Sequence, residues 1–513
     1  MWRTLDRSSR IVLLALLLFA LLYRLSTLMM IHTGVDERDY WTSAKAIAQG
    51  LPYPELSHRT TRFSLILPVA AAVAALGSHP NVYYALPLLN CLVQVALAFL
   101  IGFRLRGLRA GFIAGLCLVL FPYMIRAGSQ VRPEIFSMTY ILAATYCLVS
   151  YFERDDGALS SLLWATAWIF IAYEAKITNL FFVPGIFLAI LLFKKKPGHA
   201  FLHCGLLLML FLFETGVYAL FTQYKLGQLQ IILTTHVSGD YSFFVGSFLG
   251  LFMRYSSRYL QAYWQIPFLV FLMLSVYYLC KRRDKRLSAI IIASLSFFVG
   301  VTFAVRSLHP ISPAESFINR YFSAVLGPLF VTIGYAFDAL LDRYLKRGAR
   351  PCRSSGYLLL LGLGAAATLG IFSYPRLPSG MRTFVNSPLH PDLHPLALNE
   401  RYRREINEAY DKGTPIIADA GDGGADAILT CVSYYLDLPY YLGGRPPTAN
   451  RMTVAGKEFL VLTRRAPDSI PPDYEAAIRF PFRLLPLKSA QLPLLTDTSV
   501  TGSSRSSISA SDE

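Results

Sequence analysis

The chain has 513 residues, of which 54% are hydrophobic, 14% aromatic and only 16% charged, with a mean hydropathy of +0.44. That balance excludes a string of soluble domains and places most of the chain in lipid. Its 48 Lys and Arg against 32 Asp and Glu leave a net charge of +16. The cations lie in short clusters between apolar runs, with no basic stripe interleaved with aromatics, which excludes nucleic acid and makes the lipid bilayer the expected partner.

A spanning helix needs about 20 mostly apolar residues. In chain order the candidate runs are 11–31, 82–103, 110–125, 135–152, 159–173, 177–193, 200–221, 259–280, 287–305, 321–341 and 356–374, which predicts about eleven spans. The first run is too long for a signal-peptide core and has no small-residue cleavage site, so it reads as a retained span. Segment 63–77 is apolar but short and holds Pro68, the pattern of an interfacial or re-entrant helix. The cysteines stand singly, with no CxxC pair and no disulfide framework.

Orientation follows from the loop cations. With Arg3, Arg7 and Arg10 in the cytoplasm, alternation puts Arg104, Arg106 and Arg109, then 194–196, 281–286 and 343–353, on the same side, as the positive-inside rule requires. Loops 32–81, 124–134, 222–258 and 306–320 are then exoplasmic and rich in acidic, His, Tyr and Pro residues. Past residue 374 the composition becomes that of a small soluble α/β unit, with strands expected at 415–420 and 458–463, a Gly-rich turn at 421–424 and a helix at 425–437. The Ser-rich tail, 494–513, reads as disordered. The expected organisation is a polytopic α-helical membrane module over 1–374, containing exoplasmic loop 32–81, followed by an exoplasmic α/β domain over 375–493.

The densest polar cluster directly follows the first span: His32-Thr-Gly-Val-Asp36-Glu37-Arg38-Asp39-Tyr40-Trp41. Carboxylates so close to a membrane surface can accept a proton or bind a cation, while an acidic outer loop is also what basic inner loops leave behind. The cluster continues into an amphipathic stretch, 41–50, ending in Gly50-Leu-Pro-Tyr53, and Arg62 then leads into the Pro68 segment. Elsewhere Arg24 lies within the first span, where it snorkels outward or faces a cavity. Glu214 in its apolar run must face the protein interior or an interface. His309 and Glu315, with His236 or Glu134, are weak candidates for a divalent cation, since no ligand spacing such as HxxxH supports them.

Asp36-Glu37 just past the first span, Ala44, Ile47 and Gly50-Leu-Pro-Tyr53, and a basic residue before a Pro-containing apolar helix resemble the first exoplasmic loop of GT-C glycosyltransferases. The nearest groups are the protein O-mannosyltransferases and the aminoarabinose transferase that modifies lipid A. Ser129-Gln-Val-Arg132-Pro-Glu134 resembles the second exoplasmic loop, Lys176 before Phe182-Val-Pro184-Gly185 a family Lys, Asn319-Arg320-Tyr321 before Pro328 the RY-to-Pro stretch, and Ser433-Tyr-Tyr435 before Leu438-Pro-Tyr-Tyr441 the bacterial extracytoplasmic domain. Two positions depart from the pattern: Glu134 stands where Asp is common, and no Pro-Pro pair follows Arg62, so Arg59 is an alternative phosphate contact.

The resemblance implies a bacterial inner-membrane enzyme with a cytoplasmic N-terminus and a periplasmic C-terminal domain. It implies that a sugar moves, with inversion, from a polyprenyl-phosphate donor to a lipid, glycan or protein acceptor, with no nucleotide site. In that reading Asp36, Glu37 and Glu134 are the catalytic carboxylates, and Arg59, Arg62, Lys176, Arg320 and Tyr321 surround the donor phosphate. A transporter or flippase of lipid-linked sugars, and an O-antigen ligase or polymerase, are the competing readings.

Overall fold

The computed structural model describes residues 5–28, 35–51, 53–54, 57, 59–153, 159–194, 196–227, 242–243, 262–281, 284–302, 304–308, 311–313, 319–345, 395–411, 416–418, 459–463 and 483–487. The run at 356–374, the segment 421–437, the motif at 433–441, the Ser-rich tail and the metal candidates His236, His309 and Glu315 lie outside them.

Helix α1 (Arg7–Ser26) starts where the Asp6 side chain accepts from the Ser9 N–H at 3.1 Å, an N-cap that satisfies one orphan donor. Its residues Ile11, Leu14, Leu18 and Leu22 are exposed while Leu13, Leu16, Ala20 and Tyr23 are buried. An apolar stripe at helical spacing on an outer surface suits lipid and not water. The amphipathic stretch in the first loop is α2 (Val35–Gln49), with Tyr40, Trp41, Ser43 and Ala44 fully buried. Gly50, at φ +67°, ends it, and the Leu51 N–H returns to the Ala46 carbonyl at 2.9 Å, a left-handed stop that side chains other than Gly adopt poorly.

Then come α3 (Phe63–Leu76), a 3₁₀ turn (Pro80–Tyr84), α4 (Ala85–Arg106), α5 (Leu108–Leu120), a short α6 (Pro122–Ala127), α7 (Pro133–Glu153), α8 (Leu159–Ala175), a second 3₁₀ turn (Ile177–Phe181), α9 (Phe182–Phe193) and α10 (Pro197–Leu226). After these lie α11 (Ala262–Lys281), α12 (Lys285–Thr302), a third 3₁₀ turn (Asn319–Val325), α13 (Leu326–Leu345) and α14 (Pro395–Asp411). Ten of the expected apolar runs are therefore helical. Among the described residues six segments are long and apolar enough to cross a membrane: Arg7–Ser26, Pro80–Arg106, Pro133–Glu153, Pro197–Tyr224, Lys285–Thr302 and Tyr321–Asp342. The remaining described runs form shorter apolar helices, bounded by Gly107, Pro122 and the turn at Lys176, so length and composition alone support six of the expected spans.

The helix ends sort by charge. Where α4 and α13 end and α5 begins, Arg106 pairs with Asp338 and Asp342, both at 2.9 Å, and Arg109 with Asp338 at 2.8 Å and with Asp342. Beside them Arg104 meets Glu153 at 2.6 Å, and Arg286 donates to the carbonyls of Arg104 and Leu105 at 3.1 and 3.3 Å. Three of the basic clusters that the sequence assigns to one side are thus joined to one another through this network or lie on the same helix ends, Lys194 being 4.5 Å from the ring centre of Tyr151 in the last turn of α7.

Short strands accompany the helices. Strand β2 (Ala304–Leu308) pairs antiparallel with β1 (Ser242–Phe243) and β3 (Ile311–Pro313). The chain divides into two compact units, the first comprising 1–403 and 432–443, the second 404–431 and 444–513. In the second unit β5 (Phe459–Thr463) lies between parallel β4 (Ile416–Ala418) and antiparallel β6 (Arg483–Leu487). Strands β4 and β5 fall where the sequence expects strands.

Candidate functional site

At the bundle end opposite the arginine network, the sequence-singled residues come together. Helix α2 docks by burying Trp41 edge-on against Tyr83 of the first 3₁₀ turn, ring centres 5.7 Å apart. The Tyr83 hydroxyl in turn accepts from the Val131 N–H at 2.9 Å, which ties the first loop to the second. One residue on, Arg132 forms a hydrogen-bonded ion pair with Glu37, whose side chain is 3% exposed. Glu134, in the first turn of α7, pairs with Lys176 at 3.0 Å, and both side chains are buried. The Lys176 ammonium also lies 4.1 Å from the ring centre of Tyr321, a cation–π contact that helps carry a desolvated charge. Lys176 is therefore held inside the protein.

Asp36 differs from its neighbours. Its side chain is 38% exposed and pairs at 2.6 Å with Arg59, itself 30% exposed, which also reaches Asp39 at 3.3 Å. Burial pushes the Asp39 carboxyl above its ordinary range, against the opposing pull of Arg38 and Arg59. Arg62 donates to the Tyr40 hydroxyl at 2.9 Å, with its guanidinium 5.8 Å from that ring's centre. Burial also raises the Tyr40 phenol, so it faces Arg62 as a neutral group. Arg320 stands in the third 3₁₀ turn next to Tyr321.

Two further residues matter here: Glu174, to which the sequence reading gives no role, and Arg24, which it reads as snorkelling outward or facing a cavity. Glu174 is buried at the end of α8, and its carboxylate accepts from the backbone N–H groups of Phe63 and Ser64. Arg24 is buried too, donating to the carbonyls of Val119 and Leu118 at 2.7 and 3.4 Å. It caps the C-terminal carbonyls of α5, which decides for the interior position over outward snorkelling. The available signal was the high cost of a charge inside an apolar run, which demands a partner. Among the described residues no group of three or more His, Cys, Asp or Glu is arranged to hold a metal ion.

The comparisons with known proteins bear on this geometry. Residues 64–218 match the family described as dolichyl-phosphate-mannose-protein mannosyltransferase. Compared by sequence with curated proteins, the chain matches none. Its fold is similar to that of ArnT from Cupriavidus metallidurans in the apo state, with a TM-score of 0.54, 14% identity and coverage of 93% of this chain and 97% of that one. It is likewise similar to ArnT from the same organism bound to undecaprenyl phosphate, with a TM-score of 0.55, 13% identity and coverage of 94% and 98%.

The pairings predict unequal effects on stability. Glu37→Gln removes the charge facing the largely buried Arg132 and should destabilise by about 3–5 kcal/mol, whereas Asp36→Asn removes a half-exposed pair and should cost less than about 1 kcal/mol. Thermal unfolding of the purified variants in detergent checks the order; equal losses would contradict it. The chain is a helical membrane protein whose fold is similar to that of ArnT, and its residues 64–218 match the family model of the dolichyl-phosphate-mannose-protein mannosyltransferases.

Proposed function

We propose that the protein is a membrane glycosyltransferase that moves a sugar from a polyprenyl-phosphate donor to an exoplasmic acceptor. The observation that carries this reading is a contrast within one site: Glu37 and Glu134 are each held in a buried ion pair, while Asp36 is the carboxylate open enough to meet an incoming hydroxyl. Donor chemistry is suggested by the cations around it and by the undecaprenyl phosphate bound to the similar ArnT fold.

In this reading the acceptor hydroxyl oxygen attacks the anomeric carbon as the bond from that carbon to the lipid-phosphate oxygen breaks. The departing phosphate keeps the bonding electron pair, and Asp36 takes the hydroxyl proton. Attack opposite the leaving group inverts the anomeric centre. Arg62 and Lys176, with Arg59 and Arg320 on the flanking segments, stabilise the phosphate charge as it develops. Glu134 fixes Lys176 against Tyr321, and Glu37 fixes Arg132, so both act by orienting cations. The acceptor is a lipid, glycan or protein hydroxyl, and a divalent cation is compatible with the reading.

Orientation belongs to the same proposal: the arginine network faces the cytoplasm of a bacterial inner membrane, and the carboxylate-rich end and the C-terminal α/β domain, 375–493, face the periplasm. Alkaline phosphatase fused after Leu398 should be active and after Lys285 inactive; the reverse pattern would put the site on the wrong face.

Asp36→Asn keeps the size of the side chain and removes its charge. Losing a general base should reduce turnover by about 10²- to 10⁴-fold, with an unfolding temperature near the parent's. Assay of the purified protein with a polyprenyl-phosphate sugar measures this, and turnover within about threefold of the parent would remove Asp36 from the chemistry.

A further inference from the structure

One buried carboxylate has no part in the transfer just described. Glu174 is 4% exposed at the end of an apolar helix, where an unpaired charge is costly. Its oxygens accept from the N–H groups of Phe63 at 2.5 Å and Ser64 at 2.7 Å, the first two residues of α3. The opening N–H groups of a helix have no partner within it, and Arg62 at the cap position supplies no side-chain bond. The cap therefore comes from a residue 111 positions away, and the helix-terminal dipole favours its charge.

The same segment is fixed on its carbonyls. Tyr53 donates to the Thr60 carbonyl at 2.5 Å, Tyr218 to that of Thr61 at 3.1 Å and Tyr140 to that of Ser64 at 2.7 Å. Arg59 and Arg62 project from this clamped stretch, and Lys176 follows Glu174 by two residues. One carboxylate thus joins the backbone that carries Arg62 to the backbone that carries Lys176.

We propose that Glu174 is a positioning residue for the donor phosphate, holding Arg62 at a fixed distance from Lys176 by capping Phe63 and Ser64. The proposal rests on the glycosyltransferase reading above. A cap with no such role would stabilise the fold and leave donor recognition to Arg62 alone, and the two accounts differ in how the residues couple.

The experiment is a double-mutant cycle with undecaprenyl phosphate as the probe, its binding measured on the purified full chain. Glu174→Gln should weaken binding by about tenfold, the scale of a lost helix cap. Arg62→Ala should weaken it as well, and adding Glu174→Gln to Arg62→Ala should change it by less than about twofold, because the second residue acts through the first. If Glu174→Gln does not fold, Tyr140→Phe, which releases the Ser64 carbonyl, replaces it in the cycle with the same expectation. Losses that multiply, or Glu174→Gln affinity within about twofold of the parent, overturn the positioning role while Arg62→Ala still upholds the donor site. A parent chain that does not bind undecaprenyl phosphate overturns the donor reading and this inference together.

Discussion

A charge taken out of water and out of reach of solvent must meet an opposite charge or a set of backbone dipoles, and the organisation of this chain depends on that constraint. Glu37 with Arg132 and Glu134 with Lys176 satisfy it by joining segments far apart in sequence: the first loop to the second, and the start of α7 to the end of α8. Glu174 and Arg24 satisfy it with helix termini, one capping the N–H groups of α3 and the other the carbonyls of α5. None of these contacts supplies much net stability, since desolvation offsets most of the attraction, but removing one member of a pair costs far more than the intact pair contributes. They act as registers that allow few alternative arrangements of the helices around the site.

The two ends of the bundle use the rule differently. At one end Asp338 and Asp342, a turn apart on α13, are matched by Arg106 and Arg109 across the tight connection at Gly107, whose φ of +105° lets α4 fold back into α5. Charge is neutralised there and the helices are fastened. At the other end the pairs are graded in exposure, from fully desolvated Glu134 and Lys176 to half-open Asp36 and Arg59. On the proposed reading, with a polar acceptor on one side and a lipid phosphate on the other, such a gradient supplies a fixed inner cation and an accessible outer carboxylate.

Much of this was legible in the sequence, for identifiable reasons. Hydropathy over a window placed ten of the helical runs, because burial in lipid is a property of a segment and not of its partners. The acidic cluster after the first span and the cations at Arg62 and Lys176 stood out because charged residues beside apolar runs are few. The pairing itself was not legible: nothing local in 170–178 says that Glu174 caps a helix 111 residues earlier or that Lys176 meets Glu134. For Arg24 the sequence left outward snorkelling and an interior position both open, because its destination, the end of α5, exists only once the helices have packed. Six of the expected spans stand on length and composition among the described residues, and the other helical runs are shorter because Gly107, Pro122 and the turn at Lys176 interrupt them.

The central claim is that this graded cluster receives a lipid phosphate, and the most direct measurement is an electron cryo-microscopy structure of the full chain in lipid nanodiscs with undecaprenyl phosphate added. The account predicts phosphate density within charge-assisted hydrogen-bond reach, about 2.7–2.9 Å, of Arg62 or Lys176 and on the same end of the bundle as Asp36. Density against the arginine network of Arg104, Arg106 and Arg286, or anywhere else away from Asp36, would contradict it.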